Sequence, residues 1–413
     1  MSKKVGIICI GDELINGYTI DTNSNFIASK IRKFDNLDIS NILVVGDDLV
    51  SISDNLDYLI GKNINYIFIT GGLGPTHDDL TKKVLCEYFN CELKTCEKHY
   101  QKLCDKYPSK KKKNIKSQSE ILEISQPIPN DIGTALSMYF MFKGITFFIL
   151  PGVPLEVNKA MVNYILPDYI EPFYKVNNNV LTILTSGIYE SSLYNKLKDI
   201  IEEWQDKIKV AFLPGYSGVK IRLTSLDSSI SKDTFTQFKN LVEYKIKKYI
   251  YGYDDDKLNQ IIGEILSKER KTLAVAESCT GGYLSKVITD IPGSSSYFKG
   301  GIVSYSNDMK VKILGINSDV INEYGAVSKE VAVLMSENIR KKCNSDYGIS
   351  TTGIAGPTGG SSDKPVGRVY ISISTKKNTI CKEFTFSDQR KINRNITIYI
   401  SLFLLKKSIE IKK

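Results

Sequence analysis

Residues 276–282 read Ala-Glu-Ser-Cys-Thr-Gly-Gly and close the apolar run Thr272–Ala276, so two hydroxyls and a thiol stand where a buried strand should hand over to a helix. A serine at such a turn can attack a carbonyl while nearby N–H groups stabilise the oxyanion, provided a base takes its proton. The two histidines of the chain, His77 and His99, lie far upstream. A Ser-His-Asp triad within the C-terminal segment is therefore excluded. Lysine is the available base: Gly301-Ile-Val-Ser-Tyr-Ser-Asn-Asp-Met-Lys310 sets Tyr305 at a strand end and Lys310 five residues on. A partly buried lysine beside an oriented tyrosine can have a lowered pKa and accept the proton of Ser278. Cys279 is the rival nucleophile, since a thiol at a helix N-terminus can be acidic; with no histidine or Cys-x-x-Cys partner it also reads as a small buried hydrophobe. Thr280 is suited to capping the helix or donating a hydrogen bond.

A second group of residues suits phosphate. Thr351-Thr-Gly-Ile-Ala-Gly-Pro-Thr-Gly-Gly360 offers hydroxyls and open amides after an apolar strand, and Arg390 and Arg394, four apart on one helix face, present a cationic surface. Upstream, Gly11-Asp-Glu13, Gly46-Asp-Asp48 and Thr70-Gly-Gly-Leu-Gly-Pro-Thr-His-Asp-Asp79 each follow an apolar run. Open parallel sheets bind ligands beyond the carboxyl ends of their strands. Glycines there let the backbone approach an anion, and the acids can hold a divalent cation that bridges phosphate oxygens. Asp78 and Asp79 can equally cap the following helix, Asp78 being the better placed of the two.

The elements that must position these groups follow from hydrophobic periodicity. Val5–Ile10, Ile42–Val45, Tyr66–Ile69 and Thr146–Leu150 are apolar strand signals, separated by helical patterns over Asn23–Phe34 and Ile52–Ile60. Runs apolar on both faces predict a mostly parallel sheet covered on both sides. Residues 173–256 read as a smaller α+β module, with strands at Val180–Leu184, Lys209–Leu213 and Val219–Leu223 and helices over Ser191–Trp204 and Thr234–Lys247. Residues 257–413 return to α/β logic: a helix at Leu258–Ser267, strands at Thr272–Ala276, Gly301–Tyr305, Tyr347–Thr351 and Val369–Ser374, a helix capped by Ser328, and a closing helix from Ile392 to Ile411. The expected fold class is α/β, two α/β domains with mostly parallel covered sheets (1–172 and 257–413) joined by a small α+β module (173–256). The pattern T-G-x-x-G-P-T occurs twice, at Thr70–Thr76 and Thr352–Thr358, without repetition of the flanking sequence.

Composition narrows the function classes. The chain of 413 residues is 42% hydrophobic and 24% charged, as in ordinary soluble multidomain proteins. No apolar run reaches bilayer-spanning length and the start opens directly into a strand, so a cytoplasmic location and no membrane partner are expected. Eight cysteines without a Cys-x-x-Cys pair argue for reduced thiols, and with two histidines any metal is held mainly by oxygen, which suits magnesium or manganese. The net charge of +9 gathers partly in Lys98–Lys102 and Lys110–Lys113 and reads as solvated loop. Gly215-Tyr-Ser-Gly218 lacks the basic helix of a nucleic-acid clamp, so small-molecule nucleotides rather than RNA or DNA are the expected partners.

Two resemblances cover essentially the whole chain. G-D-E-L-I-N-G at 11–17, D-T-N-S at 21–24, V-G-D-D at 45–48, T-G-G-L-G-P-T-H-D-D-L-T at 70–81 and P-G-V-P at 151–154 resemble the molybdopterin-binding-type domain of the CinA family, the competence/damage-inducible protein A group. That resemblance implies metal-dependent hydrolysis of ADP-ribose to AMP and ribose 5-phosphate. Asp12, Asp47 and Asp78 or Asp79 would stand around a magnesium or manganese ion, with the backbone of Gly71, Gly72 and Gly74 against phosphate. Leu136-Ser137 departs from the family's Pro-Gly, and a turn lining the pocket there would alter or remove this activity. The last segment resembles the family's nicotinamide-nucleotide amidase domain through A-E-S-C-T-G-G, G-S-S at 293–295, G-I-V-S-Y-S-N-x-x-K at 301–310, G-A-V-S at 325–328, T-G-I-A-G-P-x-G-G at 352–360, K-P-V-G at 364–367 and the 390/394 arginines. It implies conversion of nicotinamide mononucleotide to nicotinic acid mononucleotide and ammonia without a metal. Ser278, Lys310 and Tyr305 would be catalytic, and Thr280, Gly281, Thr352, Gly353 and Arg390 or Arg394 would contact substrate. The order of the segments is that of a full-length member with a KH-like middle module, and a homodimer is expected. The alternatives are a chain acting mainly as an ADP-ribose hydrolase, a non-catalytic nucleotide-binding scaffold, or, least supported, a molybdopterin-handling protein.

Overall fold

The computed structural model describes residues 2–76, 79–108, 112–176, 179–226 and 230–410. It forms two compact units, Met1–Asn177 and Asn178–Lys413. In the first, β1 (Lys3–Ile10), β2 (Leu37–Val45) and β3 (Tyr66–Thr70) run parallel; β4 (Leu93–Thr95) and β5 (Glu120–Leu122) pair separately. β6 (Gln126–Ile128), β7 (Ser137–Phe142) and β8 (Ile145–Leu150) complete a six-stranded sheet in the order β2-β1-β3-β8-β7-β6. β3 and β8 are parallel, while β7 and β6 add an antiparallel edge. The continuous apolar run of β1 serves two cores because successive side chains leave a strand on opposite faces. Ile8 and Ile10 pack with Ile52, Leu56 and Leu85, whereas Val5, Ile7 and Cys9 pack with Ile27, Phe68 and Phe148. The run Ile42–Val45 does not meet the expectation of cover on both sides. β2 is the sheet edge, its burial alternates, and Ile42 is 46% exposed.

In the second unit, β9 (Val180–Thr185), β10 (Ile208–Gly215), β11 (Gly218–Ser225) and β12 (Ile250–Tyr253) form an antiparallel sheet in the order β10-β11-β9-β12. Helices Glu190–Trp204 and Lys232–Ile246 pack on it through Leu193, Leu197, Phe238 and Val242. Gly215 and Gly218 pair across the β10–β11 hairpin turn. The third sheet joins β13 (Leu273–Glu277), β14 (Phe298–Val303), β15 (Tyr347–Gly353), β16 (Arg368–Thr375) and β17 (Thr379–Thr385) in the order β14-β13-β15-β16-β17. β14, β13 and β15 are parallel and β16 and β17 antiparallel to their neighbours. β13 is buried throughout: Leu273 and Val275 join a core with Ile262, Leu284 and Leu402, and Ala274 and Ala276 join one with Val331, Met335 and Ile339. The Ile-rich stretch near the end is helical, Arg390–Glu410. Among the described residues no helix is long and apolar enough to cross a membrane.

Candidate active site

The turn after β13 is held from below by a residue that sequence reasoning passed over. Glu277 is fully buried, and its carboxylate accepts from the N–H of Leu284 (3.0 Å), the N–H of Ser285 (2.8 Å) and the Ser285 hydroxyl (2.6 Å). It thus satisfies the orphan donors at the start of helix Tyr283–Thr289. The signal was present: a carboxylate closing an apolar strand must find N–H donors, and a helix N-terminus follows. Gly281 and Gly282 take positive φ of 59° and 89° to turn the chain between the two elements. Ser278 sits in this turn, 8% exposed, its N–H donating to the Thr351 carbonyl at 2.9 Å.

Lys310 comes to Ser278 from helix Asn307–Lys312, whose N-terminus is capped by the Ser306 side chain accepting from Met309 N–H at 3.2 Å. The lysine is 1% exposed, and its Nζ lies 3.2 Å from Ser278 Oγ, 2.8 Å from the Ser304 carbonyl and 3.3 Å from the Tyr305 carbonyl. Burial lowers its pKa from the ordinary lysine value. Tyr305 orients the lysine through its carbonyl rather than its phenol. That phenol is on a side chain 57% exposed and accepts from Arg390 Nη2 at 2.9 Å. Cys279 is buried against Ala355 and Ile371, and burial pushes its thiol up to about 12. That shift disfavours the thiolate, the form in which a cysteine acts as a nucleophile.

Several expected substrate contacts are engaged elsewhere. The Thr280 hydroxyl is hydrogen-bonded to that of Thr351 at 2.7 Å, and Thr352 donates to the Ala326 carbonyl at 2.7 Å; both residues are buried. Through these bonds the two hydroxyls brace the strand ends. Gly353 is in β15, where a Cβ would come within 2.7 Å of the Arg368 carbonyl, so glycine there permits close strand pairing. Gly281 is exposed on the turn. The arginines divide their work: Arg394 Nη2 donates to the Thr280 carbonyl at 2.7 Å, and Arg390 reaches Tyr305 and, at 3.4 Å, the Gly356 carbonyl. Arg394 Nε is buried without a partner among the described residues. Between them Asn393, fully buried, donates to the carbonyls of Ala355 (2.9 Å) and Ser387 (2.7 Å) and accepts from Ser387 N–H (3.0 Å). It ties the 352–358 loop to the last helix, and nothing in its spacing marked it.

The first unit has a cleft of about 510 Å³ at the carboxyl ends of its parallel strands, lined by Gly11, Glu13, Asp47, Gly71–Pro75, Asp79 and Glu156 among others. Its acids are largely bonded to the loops that carry them. Asp12 N–H donates to Asp47 Oδ2 at 2.9 Å and Asp47 N–H to Asp12 Oδ1 at 3.2 Å, a reciprocal clasp. Asp48 caps helix Leu49–Gly61 by accepting from Ser51 N–H at 2.8 Å. Asp79 accepts from Gly74 N–H and Thr76 N–H, each at 2.9 Å, and from the Thr76 hydroxyl. Asp78 and His77 lie outside the described residues. Among the described residues, which leave out His77 and Asp78, no three His, Cys, Asp or Glu side chains form a group able to hold a metal ion. Burial raises the Asp47 pKa, with the charges of Asp12, Glu13 and Asp79 adding to the effect against the Asp12 N–H bond, which lowers it.

Two of the three expected phosphate-facing glycines, Gly71 and Gly74, differ from expectation. Gly71 N–H donates to the Leu150 carbonyl at 3.1 Å and Gly74 N–H to Asp79, so neither offers its N–H to phosphate. Gly71 has φ of 106°, and a Cβ there would lie 2.1 Å from the Ile10 carbonyl; one on Gly72 would lie 2.1 Å from Thr81 Oγ1. Gly71 needs glycine for close packing on the end of β1, and Gly72 for close packing on the start of helix Thr81–Phe89. The Leu136-Ser137 departure points away from the ligand question: Leu136 belongs to the hydrophobic core and Ser137 starts β7, while Thr134 and Ala135 line the cleft. Asn130 shapes that loop, donating to the Ala135 carbonyl (2.8 Å) and to Glu156 (2.6 Å).

A three-part chain with a sheet-end cleft in its first unit and a buried serine–lysine pair in its last is the class that fold and site define. Residues 6–170 match the family model of a probable molybdopterin binding domain, 181–252 that of the damage-inducible protein CinA KH domain, and 255–409 that of the CinA C-terminal domain. A CinA-like protein of Flavobacterium psychrophilum is 37% identical over 399 residues, covering 94% of each chain, and one of Thermotoga maritima is 34% identical over 416 residues, covering 99% of this chain and 98% of its own. The chain belongs to the CinA family. Among solved structures, the competence/damage inducible protein CihA from Agrobacterium tumefaciens is 33% identical, covering 36% of this chain and 92% of its own with a TM-score of 0.36.

Proposed function

We propose that the chain hydrolyses the carboxamide of nicotinamide mononucleotide, giving nicotinic acid mononucleotide and ammonia, at Ser278 and Lys310. The observation that carries this reading is the buried Lys310 Nζ 3.2 Å from Ser278 Oγ. A neutral amine has two N–H groups and one lone pair. The carbonyls of Ser304 and Tyr305 take the two N–H groups, which leaves the lone pair facing the serine hydroxyl. The lowered pKa makes that neutral form accessible. Ser278 Oγ attacks the carboxamide carbon as its proton passes to Lys310. The N–H groups of Cys279 and Thr280, which among the described residues donate to no backbone carbonyl, are the donors this reading assigns to the oxyanion. Lys310 returns the proton to the leaving nitrogen, ammonia departs, and water deprotonated by the same amine cleaves the ester. Arg390 and Arg394 supply charge for the ribose phosphate. No step requires a metal.

The test is release of ammonia and nicotinic acid mononucleotide from nicotinamide mononucleotide by wild type, Ser278→Ala and Cys279→Ala. Activity surviving in the serine variant and lost in the cysteine variant would overturn the assignment. Hydrolysis of ADP-ribose is the second activity the family resemblance implies.

A further inference from the structure

The compact unit that carries the serine–lysine pair holds another cavity, of about 320 Å³, between the middle module and the C-terminal domain. Ile188 and Val219 line it from the module, and Phe384, Phe386, Ile396 and Ile400 from the domain. Phe384 and Phe386, two apart along an extended segment, stack with ring centroids 5.6 Å apart and planes 13° apart. Glu190, itself exposed, is the one charged residue among those lining it, so the wall disfavours an ion. Within this wall Ser186 is 1% exposed, and its hydroxyl oxygen is buried with no hydrogen-bond partner among the described residues. A buried hydroxyl left unpaired is a cost that a ligand bearing one complementary polar atom removes.

We propose that this cavity binds a small uncharged molecule with a flat apolar ring system and a single hydrogen-bonding group that meets Ser186. A cavity of about 150 Å³ accepts benzene and small-molecule pockets begin near about 300 Å³, so one or two fused rings fit and a dinucleotide does not. One layer of side chains separates the occupant from the serine turn. Phe384, Phe386 and Ile396 pack on a cluster made by Cys279, Ala355, Val369, Ile371 and Ile400. Cys279 follows Ser278 directly, and Ala355 lies in the 352–358 loop.

Indole, uncharged, bicyclic and bearing one N–H, is the probe. Titrated into the full chain and followed by calorimetry and ligand-observed NMR, it binds saturably with a Kd below about 1 mM. Ser186→Ala weakens binding about fivefold through loss of one hydrogen bond. Ile396→Gln, at a partly buried position, weakens it roughly tenfold or more. Tyr189→Ala, at an exposed position that does not threaten the fold, gives a smaller loss and keeps the test decisive if Ile396→Gln melts early. Absence of saturable indole binding to wild type, or binding that these substitutions leave unchanged, overturns the proposal. None of these measurements uses turnover, so their failure and the failure of the amidase reading are separate results.

Discussion

The loops Thr70–Thr76 and Thr352–Thr358 share the pattern T-G-x-x-G-P-T and both leave the carboxyl end of a parallel strand, yet they build unlike sites. In the first, Gly71 and Gly72 take positive φ at once, and Asp79 folds back to hold the loop by two N–H groups and a hydroxyl. The acids around it are partners of backbone donors. In the second, Gly353 stays in its strand, Asn393 holds Ala355 from a helix about forty positions on, and a buried lysine amine rather than a carboxylate stands beside the Ser278 hydroxyl. A shared glycine pattern therefore reports close strand packing, and the chemistry depends on which titratable group the surroundings leave without a stronger partner.

The contrast is broken most directly at the serine–lysine pair. Ser278→Ala and Lys310→Met should each lower ammonia release by about 10³-fold or more, with Cys279→Ser staying within about threefold of wild type; equal losses in all three would erase the distinction drawn between hydroxyl and thiol. Next in size, Arg390→Ala should raise KM roughly tenfold or more with a smaller change in kcat, because a charge-assisted bond to phosphate is lost. A rise in Arg394→Ala alone would move the phosphate contact one turn along the helix.

The pH profile of kcat/KM gives a third check. Burial lowers the Lys310 pKa, so the protonated amine of acidic solution is inactive and the rate climbs up to about tenfold per pH unit, levelling below the ordinary lysine value of 10.5. The linkage has the same sign: unfolded Lys310 binds its proton up to its ordinary pKa while the folded one releases it earlier. This group's contribution to stability therefore rises with pH across that window and is least favourable below it. The smallest expected effect lies in the other loop. Asp79→Ala should cost about 2 kcal/mol of stability in a urea melt by freeing the Gly74 and Thr76 donors, while ammonia release is unchanged. An Asp79 variant that melts normally but loses metal-dependent turnover of ADP-ribose would instead mark Asp79 as a metal ligand.

Much of this was legible along the chain, because strand and helix periods depend on neighbours a few positions away. The runs at Val5–Ile10, Tyr66–Ile69 and Thr272–Ala276 are strands, and Ser328 caps its helix by accepting from Val331 N–H at 3.3 Å. The positions of the two histidines left lysine as the available base, and the resemblance of the Gly301–Lys310 segment to the amidase domain singled out the pairing of Ser278 with Lys310. What local pattern could not supply was the allocation of partners. Thr280 and Thr352 look open in sequence, but folding places Thr351 and Ala326 within hydrogen-bond reach of them. Tyr305 looked like a phenol aimed at the lysine, but the turn after β14 presents its carbonyl instead. Asn393 acquires its role only once Ala355, 38 positions away, arrives beside it. A buried polar group must be satisfied by whatever stands within about 3 Å, and which group that is depends on contacts between residues far apart in the chain.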